Sequence, residues 1–574
     1  MVKVLETDVL VIGSGAAGLW SAIKVFDSGI DVMIITKGML SRSGCSRLSG
    51  FHWGPYNPEN ISLADIDHLG THIRLFNSKI LRSILEYSPV VVRELERLGI
   101  YWRRRSDGKI AEHKPDIPYP LAWKAGETGQ RVMDILYSET LRRGINFIED
   151  TMATSLLLSN GRCVGATALN YMRGEFFVIK AKATILATGH PGVYRYSTQS
   201  RENTGDGIAM AYRCGAEIVN MEFQHWHHSD TQYPESARRL VHNVPSWSEC
   251  FFGKEFLAKF KGIPEGTEVC TIVDKEGRDV MKELKKLAAT VDTFHSPSVQ
   301  QIIALLYGKR GGLFMRYNQA ILKTGVLADS FYNYRPLTNF YHLEKELVPL
   351  GTTAHTHAGG VRINERCETT IPGLYAVGGV AGIYPTVLTC LWGGATAAKY
   401  AAEIVRKTPS PELDWSQVEA EKERVESFLR LKPSDGFTPL QIQRKIRDLM
   451  WDKMWIIKTV SEMKEALVEL SRIEKELVPK MGLETTVKSG NFGWAHALEV
   501  INMITVCRLM IWASLTRKET RPPHIVKDYP RQDDENWLKI VVLKYKPDRP
   551  DEPEIKIEPL SDPAYLYLSS RGGH

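Results

Sequence analysis

The chain predicts an α/β fold, a Rossmann-like nucleotide-binding domain with an inserted α+β capping domain, a C-terminal helical domain and an extended tail. Three observations carry this. Residues 6–12 (ETDVLVI) form a short branched apolar run of the kind that becomes a buried strand. A glycine-rich turn and a helical pattern through Phe26 follow, and then a second apolar run at 30–36 (IDVMIIT), which completes a βαβ unit. Further apolar strands ending in glycine turns appear far downstream, at 181–187 (AKATILA) and 373–378 (GLYAVG), so the first domain is assembled from distant segments.

Length and composition agree. At 574 residues the chain exceeds one compact core, and two to four domains are expected. Expected borders are 1–236 plus 351–408 for the discontinuous nucleotide-binding domain, 237–350 for the capping domain, 409–515 for the helical domain and 516–574 for the C-terminal domain and tail. The capping region is expected to carry charged helices such as Asp279–Ala289 and Val299–Tyr307. Leu, Glu, Lys and Arg at helical spacing mark 410–515 as a bundle, and the Pro-rich, charged stretch 545–563 reads as an extended tail with few apolar anchors.

The net charge of +6 is spread along the chain, so no nucleic acid partner is expected. No two of the eight cysteines form CxxC, which argues against a metal or iron–sulfur site built from this chain alone and against a disulfide framework; a reducing cytoplasmic setting is expected. The opening MVKVLETDVLVIG has no secretory pattern. The apolar stretch Ile501–Leu515 contains Arg508 and is too short to span a bilayer, so membrane association is expected only through a partner.

Val11-Ile12-Gly13-Ser14-Gly15-Ala16-Ala17-Gly18 fits GxGxxG between a strand and a helix. Gly13 permits the tight turn, Gly15 lets backbone approach a pyrophosphate, and Gly18 lets helix and strand pack closely, while the helix N-terminus offers free N–H groups to the phosphates. NAD sites place an acid at the end of the second strand; Thr36-Lys37 stands there instead, which weakens an NAD reading. A glycine turn without a ligand is the alternative.

Ala187-Thr188-Gly189, then Thr204-Gly205-Asp206-Gly207, then Pro372-Gly373-Leu374-Tyr375-Ala376-Val377-Gly378 and the closing Arg521-Pro522-Pro523-His524 … Asp528 to Asp534 … Trp537 occur in an order that resembles the flavoprotein family of succinate dehydrogenase, fumarate reductase, L-aspartate oxidase and adenylylsulfate reductase. The resemblance covers nearly the whole chain. It implies FAD, with Gly13, Ser14, Gly15, Ala17 and Gly18 at the pyrophosphate and Asp206 at the adenosine ribose. The further cofactor contacts expected are Thr36, Lys37, Ser43, Gly44, Ala187, Thr188, Gly189, Gly378, Gly379 and Leu391. It also implies a small-molecule substrate, an oligomeric complex and, within it, an iron–sulfur (ferredoxin-like) partner subunit.

The chain departs from that family in four places. Gly44, in Arg42-Ser43-Gly44-Cys45, replaces the histidine to which succinate dehydrogenases attach FAD, so non-covalent FAD of lower potential is expected. Gly379 replaces an acid that contacts the flavin ribityl chain. Pro297 aligns with the proton-shuttle arginine and can carry neither charge nor proton, unless Arg310 or Arg316 reaches in. No arginine lies between Cys367 and Val405, where a second substrate clamp belongs. His227 and His355 match family histidines and are the catalytic candidates, since imidazole is a usable acid or base near neutral pH. His225, His228 and His357 stand beside them, with satisfied core or surface histidines as the alternative, and no metal is expected. His52 and Trp53 pack against either the flavin ring or the core. Three functions follow: a catalytic subunit, fumarate-reductase-like or adenylylsulfate-reductase-like; a flavin electron-transfer or scaffold subunit without substrate chemistry; and an L-aspartate-oxidase-like enzyme needing no partner.

Overall fold

A computed structural model describes residues 2–49, 75–102, 104, 106–108, 110, 128–230, 270–280, 283, 312–323, 341–430 and 436–560. Its centre is a seven-stranded sheet. The strands Asn146–Ile148, Val32–Ile35, Lys3–Ile12, Glu175–Leu186, Arg162–Asn170 and Thr151–Ser159 lie side by side in that order. Leu374–Ala376 joins parallel to Glu175–Leu186, with Leu374 opposite Thr184. Lys3–Ile12 runs parallel to both its neighbours, Ile12 standing opposite Ile35 on one side and Leu186 on the other. Val9, Leu10 and Val11 are completely buried, as expected of a central parallel strand covered on both faces.

The helix Ala16–Asp27 buries almost every residue of its first two turns and packs against the helix Val387–Val405. The helix Ser78–Arg97, capped by Asn77, closes over them. Trp20 Nε1 donates to the Tyr87 hydroxyl at 2.9 Å and Trp392 Nε1 to Ser83 Oγ at 2.8 Å, so both buried indoles find partners.

A second, antiparallel sheet orders Gln224–Asp230, Val348–His357, Leu313–Tyr317 and Cys270–Val273. The border expected at 350/351 therefore falls inside one strand, because that strand serves the sheet on both sides of it. Of the helix expected at Asp279–Ala289, only Asp279, Val280 and Glu283 are described, and Val299–Tyr307 lies outside the described residues.

Two expectations are corrected. The stretch taken as too short for a bilayer belongs to the 25-residue helix Phe492–Thr516, which by length and composition alone would reach across one. It is apolar all round because it is enclosed: 78% of its most apolar window is buried, against the helices Pro439–Lys453, Val460–Arg472 and Asp206–Arg213. The region after Tyr545 is not merely a tail. Glu554–Pro559 pairs antiparallel with Lys539–Lys544 along six residues, so backbone hydrogen bonds replace the apolar anchors that the sequence lacks. Arg362 also holds Glu558 at 2.8 Å. Among the described cysteines, Cys270 is disulfide-bonded, while Cys45, Cys163, Cys214, Cys367, Cys390 and Cys507 are free thiols.

A buried ion network fastens the C-terminal region to the rest. Arg517, fully enclosed, donates to Glu222 Oε1 at 2.7 Å, to Glu519 Oε1 at 2.8 Å and to the carbonyls of Trp537 and Lys539. Arg521 bonds the same Glu519 at 2.7 Å and reaches Asp534 at 2.6 Å. Replacing Arg517 with Ala leaves Glu222 buried without its hydrogen-bonded cation and Glu519 with Arg521 alone, which costs about 3–5 kcal/mol. Urea unfolding is expected to show this loss, and an unchanged midpoint would count against the network.

Candidate functional site: a dinucleotide crevice and a histidine-bearing sheet

The carboxyl ends of three parallel strands meet above the central sheet. Gly13 follows Ile12 at φ +112°, with its N–H donating to the Ile35 carbonyl at 2.8 Å. A Cβ there would stand 2.4 Å from the Ala187 oxygen, and one at Gly18 would stand 2.0 Å from the Gly13 oxygen. Only glycine fits either position. Gly15 differs: its nearest neighbour would be the Ser46 hydroxyl at 3.2 Å, so its backbone faces comparatively open space. It precedes the helix Ala16–Asp27, whose first turn holds no acidic residue and whose Ala16 N–H meets the Ser46 hydroxyl at 3.1 Å. Loop, open glycine and helix N-terminus together form an anion cradle.

Ser14 and Thr36 are buried and share a hydroxyl–hydroxyl hydrogen bond of 2.8 Å. Ala17 lies beneath Gly378, where a Cβ would touch it at 3.0 Å. Gly378 itself, at φ +66°, faces the Cys390 sulfur beside fully buried Leu391. Ser43 donates to the Met39 carbonyl, and Gly44 turns at φ +80° into Cys45, whose sulfur accepts from the Ser200 N–H at 3.2 Å and the Asn203 amide at 3.3 Å. Gly189, at φ +77°, packs on the same Asn203 amide. Thr188 has no hydrogen-bond partner for its hydroxyl among the described residues.

Lys37 is the residue that the sequence explains least and the structure most. Its ammonium sits 2.7 Å from Asp206 and 2.8 Å from Glu499. Burial alone would lower its pKa, but the two carboxylates outweigh this and raise it, so Lys37 stays charged. Asp206 also accepts from Thr204 at 2.9 Å and from Asn502 at 2.8 Å. Three donors thus fill three of the roughly four acceptor positions of a carboxylate, leaving one. Glu499 and Asn502 come from the helix Phe492–Thr516, which sequence reading assigned only to a bundle. Two polar residues three apart on a largely apolar helix were the available signal.

The catalytic candidates lie on the second sheet. The backbone of His227 pairs with Thr353, two residues from His355, so the strands bring positions 227 and 355 together. His355 is half-buried, and its Nδ1 shares a 2.6 Å hydrogen bond with the Thr198 hydroxyl. Gln199 reaches the His355 carbonyl and the Thr198 N–H the Ala354 carbonyl, which ties the segment after Tyr196 to this strand. His228 pairs with Thr352 through the backbone.

His357 is a core histidine. Its Nδ1 accepts from the Gly359 N–H at 2.9 Å, so the proton sits on Nε2, 3.2 Å from the Met221 carbonyl. Burial is the main reason its pKa falls to about 4, which keeps it neutral. His225 is buried edge-on to Tyr384, ring centroids 4.5 Å apart. Arg316, which sequence reading allowed to reach inward, is exposed and bonds the Gly277 carbonyl at 3.4 Å. Pro297, Arg310, His52 and Trp53 lie outside the described residues. His190, unnoticed in the sequence, is buried directly after Gly189 and packs against Gly379.

A parallel-sheet crevice with this glycine loop defines a dinucleotide-binding protein. Comparison makes the class specific. Residues 8–387 match the family model of the FAD binding domain, and residues 443–571 match the fumarate reductase flavoprotein C-terminal model. The chain belongs to this fumarate reductase and succinate dehydrogenase flavoprotein family and is an FAD-dependent oxidoreductase. It is 26% identical to a subunit of the fumarate reductase (CoM/CoB) of Methanothermobacter marburgensis, over 95% of this chain and 98% of that one. In fold it is similar to the FrdA chain of E. coli quinol fumarate reductase (TM-score 0.82, 20% identity, 97% of each chain). It is likewise similar to an adenosine-5-phosphosulfate reductase solved with sulfite as a covalent adduct (TM-score 0.79, 18% identity, 97% of this chain and 96% of that one).

Gly13→Val is expected to abolish FAD retention, because its side chain would strike the Ala187 carbonyl. The flavin-to-protein absorbance ratio after purification measures this, and a variant as yellow as the wild type would contradict the assignment.

Proposed function

We propose that the chain is the FAD-bearing catalytic subunit of an oxidoreductase complex of fumarate-reductase type, working on a small substrate and exchanging electrons with an iron–sulfur partner subunit. The observation that carries this is the meeting of the anion cradle at Gly13–Gly18 with the carboxyl ends of Glu175–Leu186 and Leu374–Ala376. The relative in Methanothermobacter marburgensis is itself named as one subunit of its enzyme, which supports the partner.

Bound FAD supplies two-electron exchange with the substrate and one-electron exchange with the partner. Gly13, Ser14, Gly15, Ala17 and Gly18 hold the pyrophosphate. Thr36, Lys37 and Asp206 form the adenosine end, with the Lys37 ammonium 2.7 Å from the Asp206 carboxylate. Ser43, Gly44, Ala187, Thr188, Gly189, Gly378, Gly379 and Leu391 line the remaining length. Gly44 offers no nucleophile, so the cofactor is held without a covalent bond. His355, its Nδ1 hydrogen-bonded to the Thr198 hydroxyl, is the first candidate for proton exchange, and His227 on the neighbouring strand is the second.

A second reading has one specific support: Arg42-Ser43-Gly44 is similar to the matching stretch of adenylylsulfate reductases. Titration separates the two. Sulfite and adenylylsulfate are expected to leave the spectrum of the oxidised flavin unchanged; bleaching by sulfite would favour the second reading.

Acid precipitation is expected to release FAD into the supernatant, and flavin in the pellet would contradict non-covalent binding. Succinate:dye turnover is expected well below roughly 10 per second, an ordinary enzyme rate. His355→Gln is expected to lower turnover of the physiological substrate about 100-fold at unchanged flavin content, in line with the loss of an acid–base group.

A further inference from the structure

The helix Phe492–Thr516 lies outside the residues that match the FAD binding domain, yet one of its faces is turned onto Lys37 and Asp206. Glu499, Asn502 and Val506 follow one another at intervals of three and four residues, which puts them on that face together. A Cβ on Gly205 would stand 2.7 Å from Val506 Cγ2, so the helix presses on the backbone of the turn that carries Asp206. On the other side of the turn, a Cβ on Gly207 would stand 2.1 Å from Thr188 Oγ1, just past the end of the strand Glu175–Leu186. Lys37 directly follows Thr36, whose hydroxyl bonds Ser14 of the glycine loop at 2.8 Å. The Lys37–Asp206 pair is therefore fixed between the crevice and the C-terminal helix.

The two oxygens of Asp206 are treated differently. Thr204 and Asn502 both donate to Oδ1, at 2.9 and 2.8 Å, whereas Lys37 alone donates to Oδ2, at 2.7 Å. Of the roughly four acceptor positions of a carboxylate, the one left is thus on Oδ2. The Asp206 and Lys37 side chains keep 11% and 18% of their surface exposed, so the pair is not sealed inside the protein. Both of its C-terminal partners are themselves held. Asn502 Oδ1 accepts from Arg213 at 2.9 Å, at the far end of the helix Asp206–Arg213. Glu499 holds Lys37 at 2.8 Å through Oε1, while its Oε2 accepts from Gln443 of the helix Pro439–Lys453 at 2.8 Å. Neither residue can drift without breaking a second hydrogen bond, and the bonds to charged groups are the stronger kind.

We propose that Asn502 and Glu499 are positioning residues for the cofactor: they fix the Asp206 carboxylate so that the open position on Oδ2 is presented to the adenosine ribose. This rests on the FAD reading above and on its placing of Asp206 at the ribose. With Oδ1 occupied twice, turning the carboxylate about its Cβ–Cγ bond breaks the bonds to Thr204 and Asn502, so Oδ2 is the oxygen on offer. A ribose hydroxyl is a donor, and one free lone pair on a carboxylate oxygen suffices to accept it. Without Asn502 the carboxylate is free to turn. Without the charge of Glu499, Lys37 has one anion left and closes on the lone pair that the ribose needs. Selectivity for the adenosine half of the cofactor is thus set from the C-terminal region, which matches a separate family model.

The test is reconstitution of the full-length apoprotein with FAD and with an FAD analogue whose adenosine ribose lacks both hydroxyls, followed by fluorescence quenching. Wild type, Asn502→Leu and Glu499→Gln are compared by the ratio of the two dissociation constants. Wild type is expected to prefer FAD about tenfold, the worth of one hydrogen bond to a charged group. Asn502→Leu is expected to bring the preference down to about twofold, through weaker binding of FAD and not of the analogue. Glu499→Gln keeps the shape of the side chain and is expected to leave a preference of about threefold; it carries the test alone if Asn502→Leu does not fold. A change that only loosens packing weakens both ligands alike. A wild-type preference retained in the variants would therefore overturn the positioning role and leave Asp206 at the ribose. Equal binding of FAD and the analogue by the wild type would instead remove Asp206 from the ribose, and the proposal with it.

Discussion

The structure depends on one close approach of backbone to backbone. Three parallel strands deliver their carboxyl ends to the same place, and Gly13 passes the Ala187 carbonyl with no room for a side chain. Gly18 passes Gly13 in the same way, which sets the helix Ala16–Asp27 close over the sheet and aims its N-terminus along the crevice. Gly378 is pressed onto Ala17 from the third strand. A cradle for phosphate is the by-product of packing that tight: with side chains excluded, N–H groups and a helix end are what remains to face a ligand.

Charge then decides how distant parts of the chain reach this crevice. Lys37, from the end of the second strand, is held by Asp206 and by Glu499 from the long C-terminal helix. Asn502, one turn further along that helix, grips the other oxygen of Asp206. Arg517 performs the same service behind the histidine-bearing sheet, where it joins Glu222 to Glu519. Buried charges of this kind are tolerable only in company, because each left alone would meet an uncompensated desolvation cost. The C-terminal region thus supplies Glu499 and Asn502 to the Lys37–Asp206 cluster and Arg517 to Glu222.

The second sheet shows how chemically alike residues separate by environment. His355 is half-buried and oriented by Thr198, whereas His357, two residues on, is locked between Gly359 and the Met221 carbonyl and held neutral. Spacing along the chain placed them side by side as candidates. The bulge between Ala354 and His357 and the backbone groups around each ring made one a candidate acid or base and the other a structural pin.

By itself the sequence determined the βαβ start and the turn and packing glycines at positions 13 and 18, because these depend on local geometry: a turn that needs positive φ, a strand that needs branched apolar residues, a helix that begins beside them; the family, and with it FAD, was legible through the resemblance of motifs spread along the chain. Tertiary structure alone decided the rest. That Lys37 is an ion-pair partner of Asp206 and Glu499, that Glu554–Pro559 is a strand, that the apolar helix Phe492–Thr516 is enclosed in protein, and that His190 stands in the space above Gly379 all rest on contacts between residues far apart in the chain. Pattern within a window carries no record of such partners; charge pairing, backbone pairing and excluded volume act between atoms only after the chain has folded.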